Sequence, residues 1–328
     1  PRERAQGSSK PARLELVNAA DLLAEDIPPL EPFIENLLLP GLTILGGRPK
    51  SGKSILALQV AMAMATGNSL CGRFAVLRPG RVLYLALEEP KSRTQARINQ
   101  ILPGGSDFLS GVNFSYRVQP LMGGGFEQLS ETLSANPSEL VVIDTLAAFS
   151  RQPDRRNQDI ARAEYNETNR LTTLAHELGA AILLVAHNRK GPAGADVTER
   201  LMGTTGVTAA CDHLWMLERL PEKRASLDVT GRELESETYE LQLQSEPLGW
   251  VCTGMGEEVG LSEERRDILE LLRVEGAMTG TTVARRLHKN ENTVRRLLIK
   301  MYQANTLNQD KHRRYYVPGC QAGQDGRD

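Results

Sequence analysis

The residues of this chain best suited to chemistry form one short loop. Gly47-Arg48-Pro49-Lys50-Ser51-Gly52-Lys53-Ser54 matches G-x-x-x-x-G-K-[ST] at every fixed position. The glycines let the backbone curl until its N–H groups face an anion, and a helix starting at the end of the loop adds its positive terminus. A lysine in the place of Lys53 can reach the β- and γ-phosphates of ATP, and a hydroxyl in the place of Ser54 can ligate Mg²⁺. Gly47, Lys50, Ser51, Gly52, Lys53, Ser54 and Ile55 are therefore the candidate nucleotide-binding residues.

Such a loop needs a strand before it and a helix after it. The apolar run Leu42-Thr43-Ile44-Leu45 reads as a buried strand, and Ile55 to Ala65 as a helix. The chemistry also needs a carboxylate near Mg²⁺ at the end of an apolar strand. Asp144, after Leu140-Val141-Val142-Ile143, fits this Walker B role, with an ordinary strand-terminal Asp as the alternative. The next position, where many ATPases keep a water-activating Glu, is Thr145. The base must then come from elsewhere. Glu88, with Glu89 beside it, closes the apolar run Val82 to Leu87. That strand is expected next to the phosphate-loop strand, its C-terminal end opening on the same crevice. A carboxylate there can orient a water in line with the γ-phosphate. The alternative is a surface Glu-Glu-Pro turn.

The elements that position these residues alternate in the manner of an α/β protein. Val82 to Leu87, Leu140 to Ile143 and Ala181 to Ala186 are near-continuous apolar runs, as expected of strands buried on both faces of a parallel sheet. Helical stretches Ser92 to Ile101 and Ala163 to Leu178 lie between them, the second closed by Gly179 as a C-cap. His213 to Leu217 is a further strand. Leu227 to Thr230, Thr238 to Gln244 and Trp250 to Thr253 then read as antiparallel strands at the sheet edge. Upstream, residues 1–28 read as a flexible arm, and Asp26 to Pro40, with four prolines, as an extended lead-in.

Residues 29–254 thus form the candidate ATPase domain and 255–260 a linker. Residues 261–318 form a second, helical and basic domain, and 319–328 a disordered tail. In the second domain, Glu263 to Glu275, Thr281 to Leu287 and Asn292 to Gln303 read as helices, and Leu307 to Val317 as a hairpin with Asp310-Lys311-His312 at its tip. Three helices and a hairpin make a winged helix-turn-helix. Between Thr281 and Tyr316 there are nine Lys or Arg and two acids. Arg295, Arg296 and Lys300 fall on the outward face of the third helix, and Lys311, Arg313 and Arg314 on the wing, a layout that suits DNA. The alternative is a module for protein contacts.

Composition sets limits on this reading. With 328 residues, 40% of them hydrophobic, the chain has material for two domains and a sizeable core. No run of about 20 apolar residues could span a membrane. There is no targeting signal at the start, and the chain opens on Pro1, as a processed chain or a fragment would. Cys71, Cys211, Cys252 and Cys320 are far apart in sequence and without C-x-x-C spacing, so reduced thiols in a cytoplasmic protein are expected. The net charge of −2 places any nucleic-acid contact on a local basic surface.

The order of motifs is also distinctive. The phosphate loop is followed by a strand ending Ala-Leu-Glu-Glu-Pro, then Val-Val-Ile-Asp-Thr-Leu, then Leu-Leu-Val-Ala-His-Asn-Arg-Lys. In this the chain resembles the RecA-like ATPases, and most closely the RepA-type hexameric helicases of plasmids and prophages. The resemblance implies a RecA-like core, Glu88 as catalytic base, a functional arginine at Arg97 and a phosphate sensor at His187. The family's usual pair of histidines is here His187-Asn188. It implies a ring in which a neighbour completes each site with an arginine or a lysine. Arg200, Arg224 and Arg232 are candidates, and Arg232, at a tight turn between edge strands, ranks first. It also implies that two loops line a DNA channel, one carrying Arg151, Arg155 and Arg156 and the other Arg189 and Lys190. The function expected is an ATP-dependent DNA helicase or translocase in replication of a plasmid, prophage or mobile element, with single-stranded DNA as its partner and double-stranded DNA and a primase or other replication protein as further candidates. The rival is an ATP-switched DNA-binding regulator or recombination mediator.

Overall fold

The computed structural model describes residues 16–27, 29–104, 106–150, 160–187, 209–256, 263–303 and 306–318. The chain divides into two compact units, Pro1–Glu31 and Pro32–Asp328. In the first, the expected arm contains a short helix, α1 (Ala19–Ala24), whose first turn is capped by the Asn18 side chain. Leu16, Val17, Leu22, Leu23, Ile27 and Leu30 of this unit are exposed.

The second unit is built on a nine-stranded sheet. Its strands are β1 (Gly41–Gly46), β2 (Val82–Ala86), β3 (Val112–Ser115), β4 (Leu140–Asp144), β5 (Ala181–Val185), β6 (His213–Arg219), β7 (Arg224–Gly231), β8 (Glu237–Ser245) and β9 (Leu248–Met255). They lie in the order β3-β2-β4-β5-β1-β6-β7-β8-β9. The six strands from β3 to β6 run parallel, and β7, β8 and β9 extend the sheet antiparallel. Side chains of the parallel strands alternate between two cores. Leu140 and Val142 of β4 join the cluster under α2 (Lys53–Thr66) and α3 (Lys91–Ile101). Val141 and Ile143 join the cluster under α4 (Gly125–Ala135), α5 (Leu146–Phe149) and α6 (Ile160–Leu178). Burial on both faces explains why these strands are apolar without a period of two.

Two expectations are corrected. β2 does not neighbour β1: β4 and β5 lie between them. Strands joined by crossover helices need not pair in chain order, and the continuously apolar β4 and β5 take the centre. The lead-in from Asp26 to Pro40 is not simply extended either. Ile34 bridges back to Leu38 and across to Val76, and Phe33, Ile34, Leu37, Leu38 and Leu39 are buried. The apolar surface of those five side chains outweighs the extended bias of the prolines.

Beyond residue 262, helices α7 (Glu263–Glu275), α8 (Gly280–Arg286) and α9 (Glu291–Gln303) and a two-stranded ribbon of β10 (Asn308–Gln309) and β11 (Tyr315–Tyr316) close around their own core. Val294, Leu298 and Met301 point inward from α9, as their spacing requires. The Arg266 guanidinium of α7 reaches Glu240 of β8 at 3.1 Å, and Glu240 also takes Arg224 at 3.4 Å.

Candidate nucleotide site

The sheet register sets the site. Ala86 of β2 pairs with Asp144 of β4, Asp144 with Val185 of β5, and Val185 with Leu45 of β1. These residues form one row across four strands. The residues just beyond it, Glu88, Thr145, His187 and the phosphate loop, therefore emerge at one sheet edge, the C-terminal edge where ligands of open α/β sheets bind. Glu88 thus opens on the crevice of the phosphate loop without its strand touching β1.

The loop itself is tightly held. Lys50 adopts a positive φ of 63° and Gly52 one of 100°. A Cβ on Gly47 would stand 2.5 Å from the Leu217 carbonyl, and one on Gly52 would stand 2.5 Å from the Trp250 ring. Trp250 is the buttress: its indole N–H donates to the Gly52 carbonyl at 3.2 Å, and Gln59 of α2 brackets its backbone from both sides. Arg219 donates to the Lys50 carbonyl at 3.2 Å. α2 starts at Lys53, so its free N–H groups face the loop. Lys53 is buried and donates to the carbonyls of Gly47 and Arg48 at 2.8 and 2.9 Å. Burial pulls its pKa down to about 8, against the opposing pull of Asp144 and Glu88.

The acids divide into two roles. Asp144 is buried, accepts from the Tyr84 hydroxyl at 3.0 Å and is hydrogen-bonded by Ser54. Its burial pushes the carboxyl pKa up from its ordinary value, against the hydrogen bonds from Ser54 and Tyr84. Glu88 accepts from the Thr145 hydroxyl at 2.6 Å and lies 3.9 Å from Nε2 of His187. Glu89 turns away: it pairs with Arg97 and accepts from the Thr94 hydroxyl. Arg97 is thus engaged with Glu89. Tyr84, Thr145 as a partner of Glu88, and Trp250 escaped sequence reasoning. Of these, only a tryptophan in a chain with two of them offered a signal.

Of the candidate fingers, Arg224 is a buried ion-pair residue of the core, bound to Glu240 and near Glu222. Arg232 is exposed and follows Gly231, which pairs with His213 at the start of β6. Since β6 runs parallel to β1, Arg232 sits at the end of the sheet opposite its own phosphate loop. Arg200, Arg151, Arg155, Arg156, Arg189, Lys190 and Asn188 lie outside the described residues. Arg295, Arg296, Lys300, Lys311 and Arg313 are exposed on α9 and the ribbon, while Arg314 is paired with Asp310 at 2.7 Å.

The residues fit a nucleoside triphosphate and its cation. The Ser51 hydroxyl is buried without a hydrogen-bond partner among the described residues. One hydroxyl, Ser54, beside one carboxylate, Asp144, suits Mg²⁺, which takes few protein ligands and leaves the rest to phosphate and water.

A loop of this kind between β1 and α2, served by acids from two further strand ends, defines a P-loop ATPase, and the sheet order is RecA-like. The sequence matches the AAA domain family over residues 8–193, more than half its length, and the chain belongs to that family. The fold is similar to the ATPase domain of G40P, with TM-score 0.52 and 15% identity over 66% of this chain and 85% of that one. It is also similar to a DnaB-like replicative helicase whose structure was described with its interactions with primase, at TM-score 0.50 and 16% identity, covering 65% of this chain. The match spans 57% of that helicase. No helix among the described residues is long and apolar enough to cross a membrane.

Proposed function

We propose that this ATPase is a ring-forming DNA motor of the RepA type, a helicase or translocase serving replication of a plasmid, prophage or other mobile element in the cytoplasm. The observation that carries the reading is the row of strand ends that delivers Glu88, Asp144 and His187 to the edge of Lys53. It is supported by the likeness of the core to the ATPase domain of G40P and to a DnaB-like replicative helicase.

In this reading the loop amides and Lys53 hold the β- and γ-phosphates. Ser54 and Asp144 would hold Mg²⁺, which when bound neutralises charge on the phosphate oxygens. Glu88, fixed by Thr145, orients the attacking water, and His187 beside it responds to the γ-phosphate. Arg232, turned away from its own site, serves the site of a neighbour. Arg151, Arg155, Arg156 and Lys190 are assigned to single-stranded DNA in the ring channel. The α7–α9 domain is assigned as a winged helix, docking duplex DNA through Arg295, Arg296, Lys300, Lys311 and Arg313. A primase or other replication protein completes the assembly.

Steady-state ATP turnover with and without single-stranded DNA, beside strand displacement on a forked duplex, tests the motor. Turnover should rise several-fold with DNA, and displacement should require ATP. Turnover indifferent to DNA, with no displacement, would replace the motor by an ATP-switched regulator.

A further inference from the structure

The end of the sheet away from the phosphate loop carries a second charged cluster. Asp212 is 5% exposed in its side chain. Its Oδ2 accepts from the Leu42 N–H at 2.9 Å and lies 2.9 Å from Nε2 of His176. Its Oδ1 faces Nη1 of Arg232 at 3.8 Å, and its carbonyl accepts from the Arg232 N–H at 3.2 Å. The neighbouring residue repeats the device. His213, 1% exposed, places Nε2 3.1 Å from the Glu233 carboxylate. Burial lowers the His213 pKa, against the opposing pull of Glu233 and Asp212.

The packing leaves no slack. A Cβ on Gly41 would stand 2.6 Å from Oδ2 of Asp212, and one on Gly231 would stand 2.5 Å from Cδ2 of His213. Yet the Arg232 side chain is 66% exposed. A merely solvated turn does not need two buried ionisable residues to pin consecutive positions. The arrangement fixes the backbone at one arginine, most of whose five N–H donors have no partner among the described residues and can meet an anion from outside.

We propose that Asp212 is the positioning residue for Arg232, presenting its guanidinium to the nucleotide phosphates of a neighbouring copy of this chain. The inference rests on the reading of Arg232 as a group acting in trans. Asp212 also ties the turn to Leu42 at the start of β1, the strand that ends in the phosphate loop. The carboxylate is buried while the guanidinium, 3.8 Å away, is mostly exposed, so the pair orients the arginine without sequestering it.

The test is a double-mutant cycle on the full-length chain, reading kcat and KM for ATP at saturating protein. Arg232→Ala should lower kcat by about 10²-fold or more. Asp212→Asn, which keeps an acceptor for the Leu42 N–H, should lower kcat roughly tenfold with KM unchanged. In the Arg232→Ala background it should have no further effect, because its influence passes through the arginine. His176→Ala should give a smaller loss with the same dependence on Arg232, and stands in if Asp212→Asn fails to fold. Mixing Arg232→Ala protein with Lys53→Ala protein should restore turnover above either alone, which tests the trans reading separately.

Restoration on mixing, with losses from Asp212→Asn or His176→Ala that persist in the Arg232→Ala background, overturns the positioning role and leaves the trans reading standing. A gain in kcat from Asp212→Asn also overturns it, since the carboxylate would then restrain the arginine. No loss from Arg232→Ala, or no restoration on mixing, overturns both.

Discussion

Strand β1 carries a buried charged cluster at each end, and the two are finished differently. At the N-terminal end the protein satisfies Asp212 from within, by a main-chain N–H, a histidine and an arginine. At the C-terminal end Lys53 has main-chain carbonyls for company, and the Ser51 hydroxyl has no partner among the described residues. Burial there disfavours the charged form of Lys53 and of Asp144 alike. Each end keeps one buried polar atom without a partner among the described residues, Ser51 Oγ here and His213 Nδ1 there, but only at the loop end does burial work against a cation and an anion together, and that is the end shaped for a ligand rather than for stability. A polyanion with its cation supplies what Lys53 and Asp144 lack. Asp212 needs nothing from outside, and what it exposes is an arginine.

The largest expected effect strikes the loop end. Lys53→Ala removes the buried cation facing the phosphates, and turnover should fall by about 10³-fold, with nucleotide affinity reduced. The same change should leave thermal stability unchanged or raised, since a poorly compensated buried charge is lost. A coupled ATPase assay and a melting curve check both. Wild-type turnover in Lys53→Ala would end the contrast between the two ends.

Next come the paired glutamates. Glu88→Gln should bind nucleotide normally but turn it over on the order of 10²-fold more slowly, because an amide cannot polarise the water as a carboxylate does. Glu89→Gln should cost much less turnover and some stability, because it leaves Arg97 with a weaker partner. Single-turnover kinetics beside chemical denaturation separates the two. Reversed effects would move the base to Glu89.

What was legible in the sequence was local or periodic. The phosphate loop, the apolar strand before Asp144 and the antiparallel strands after His213 announce themselves within a few residues. What was not legible depends on partners far along the chain. Trp250 and Gly52 are separated by 198 positions, Asp212 and Leu42 by 170, and nothing near either residue names the other. Glu88 ranks ahead of Glu89 in the sequence only through the family resemblance, since both close the same strand; the physical difference between them lies in their distant partners, Thr145 for Glu88 and Arg97 for Glu89. β3, short and alternating with Asn113 and Ser115, lacked the continuous apolar run that marks its neighbours.

A titration sharpens the comparison at smaller scale. Lys53 has its pKa lowered to about 8 in the protein without nucleotide. Phosphate binding requires the charged amine, so affinity should fall as pH rises through that value. At pH 9 the amine is about one-tenth protonated, which makes binding roughly tenfold weaker than at pH 7. Lys53→Arg keeps its charge throughout and should flatten the profile, whatever its absolute affinity. Calorimetry with a non-hydrolysable ATP analogue across pH 7–9 decides. Parallel slopes in the two proteins would place the titrating group elsewhere.

The smallest effect concerns the buttress. Trp250 lies on β9, the outermost strand, yet it carries the hydrogen bond to Gly52 and fills the space against which the loop turns. Trp250→Phe keeps most of the ring contact and removes the indole N–H, leaving the Gly52 carbonyl short of one donor. A neutral hydrogen bond of this kind is worth about 1 kcal/mol, so nucleotide affinity should drop roughly fivefold. The turnover of bound nucleotide should hold, because Glu88, Asp144 and His187 stand on other strands. Trp250→Ala should cost more, by opening a cavity beneath the loop and loosening the Gln59 bracket. If Trp250→Phe instead lowered kcat and left affinity intact, the phosphate loop would hold its shape without β9, and the antiparallel extension would be coupled to the chemistry rather than to binding.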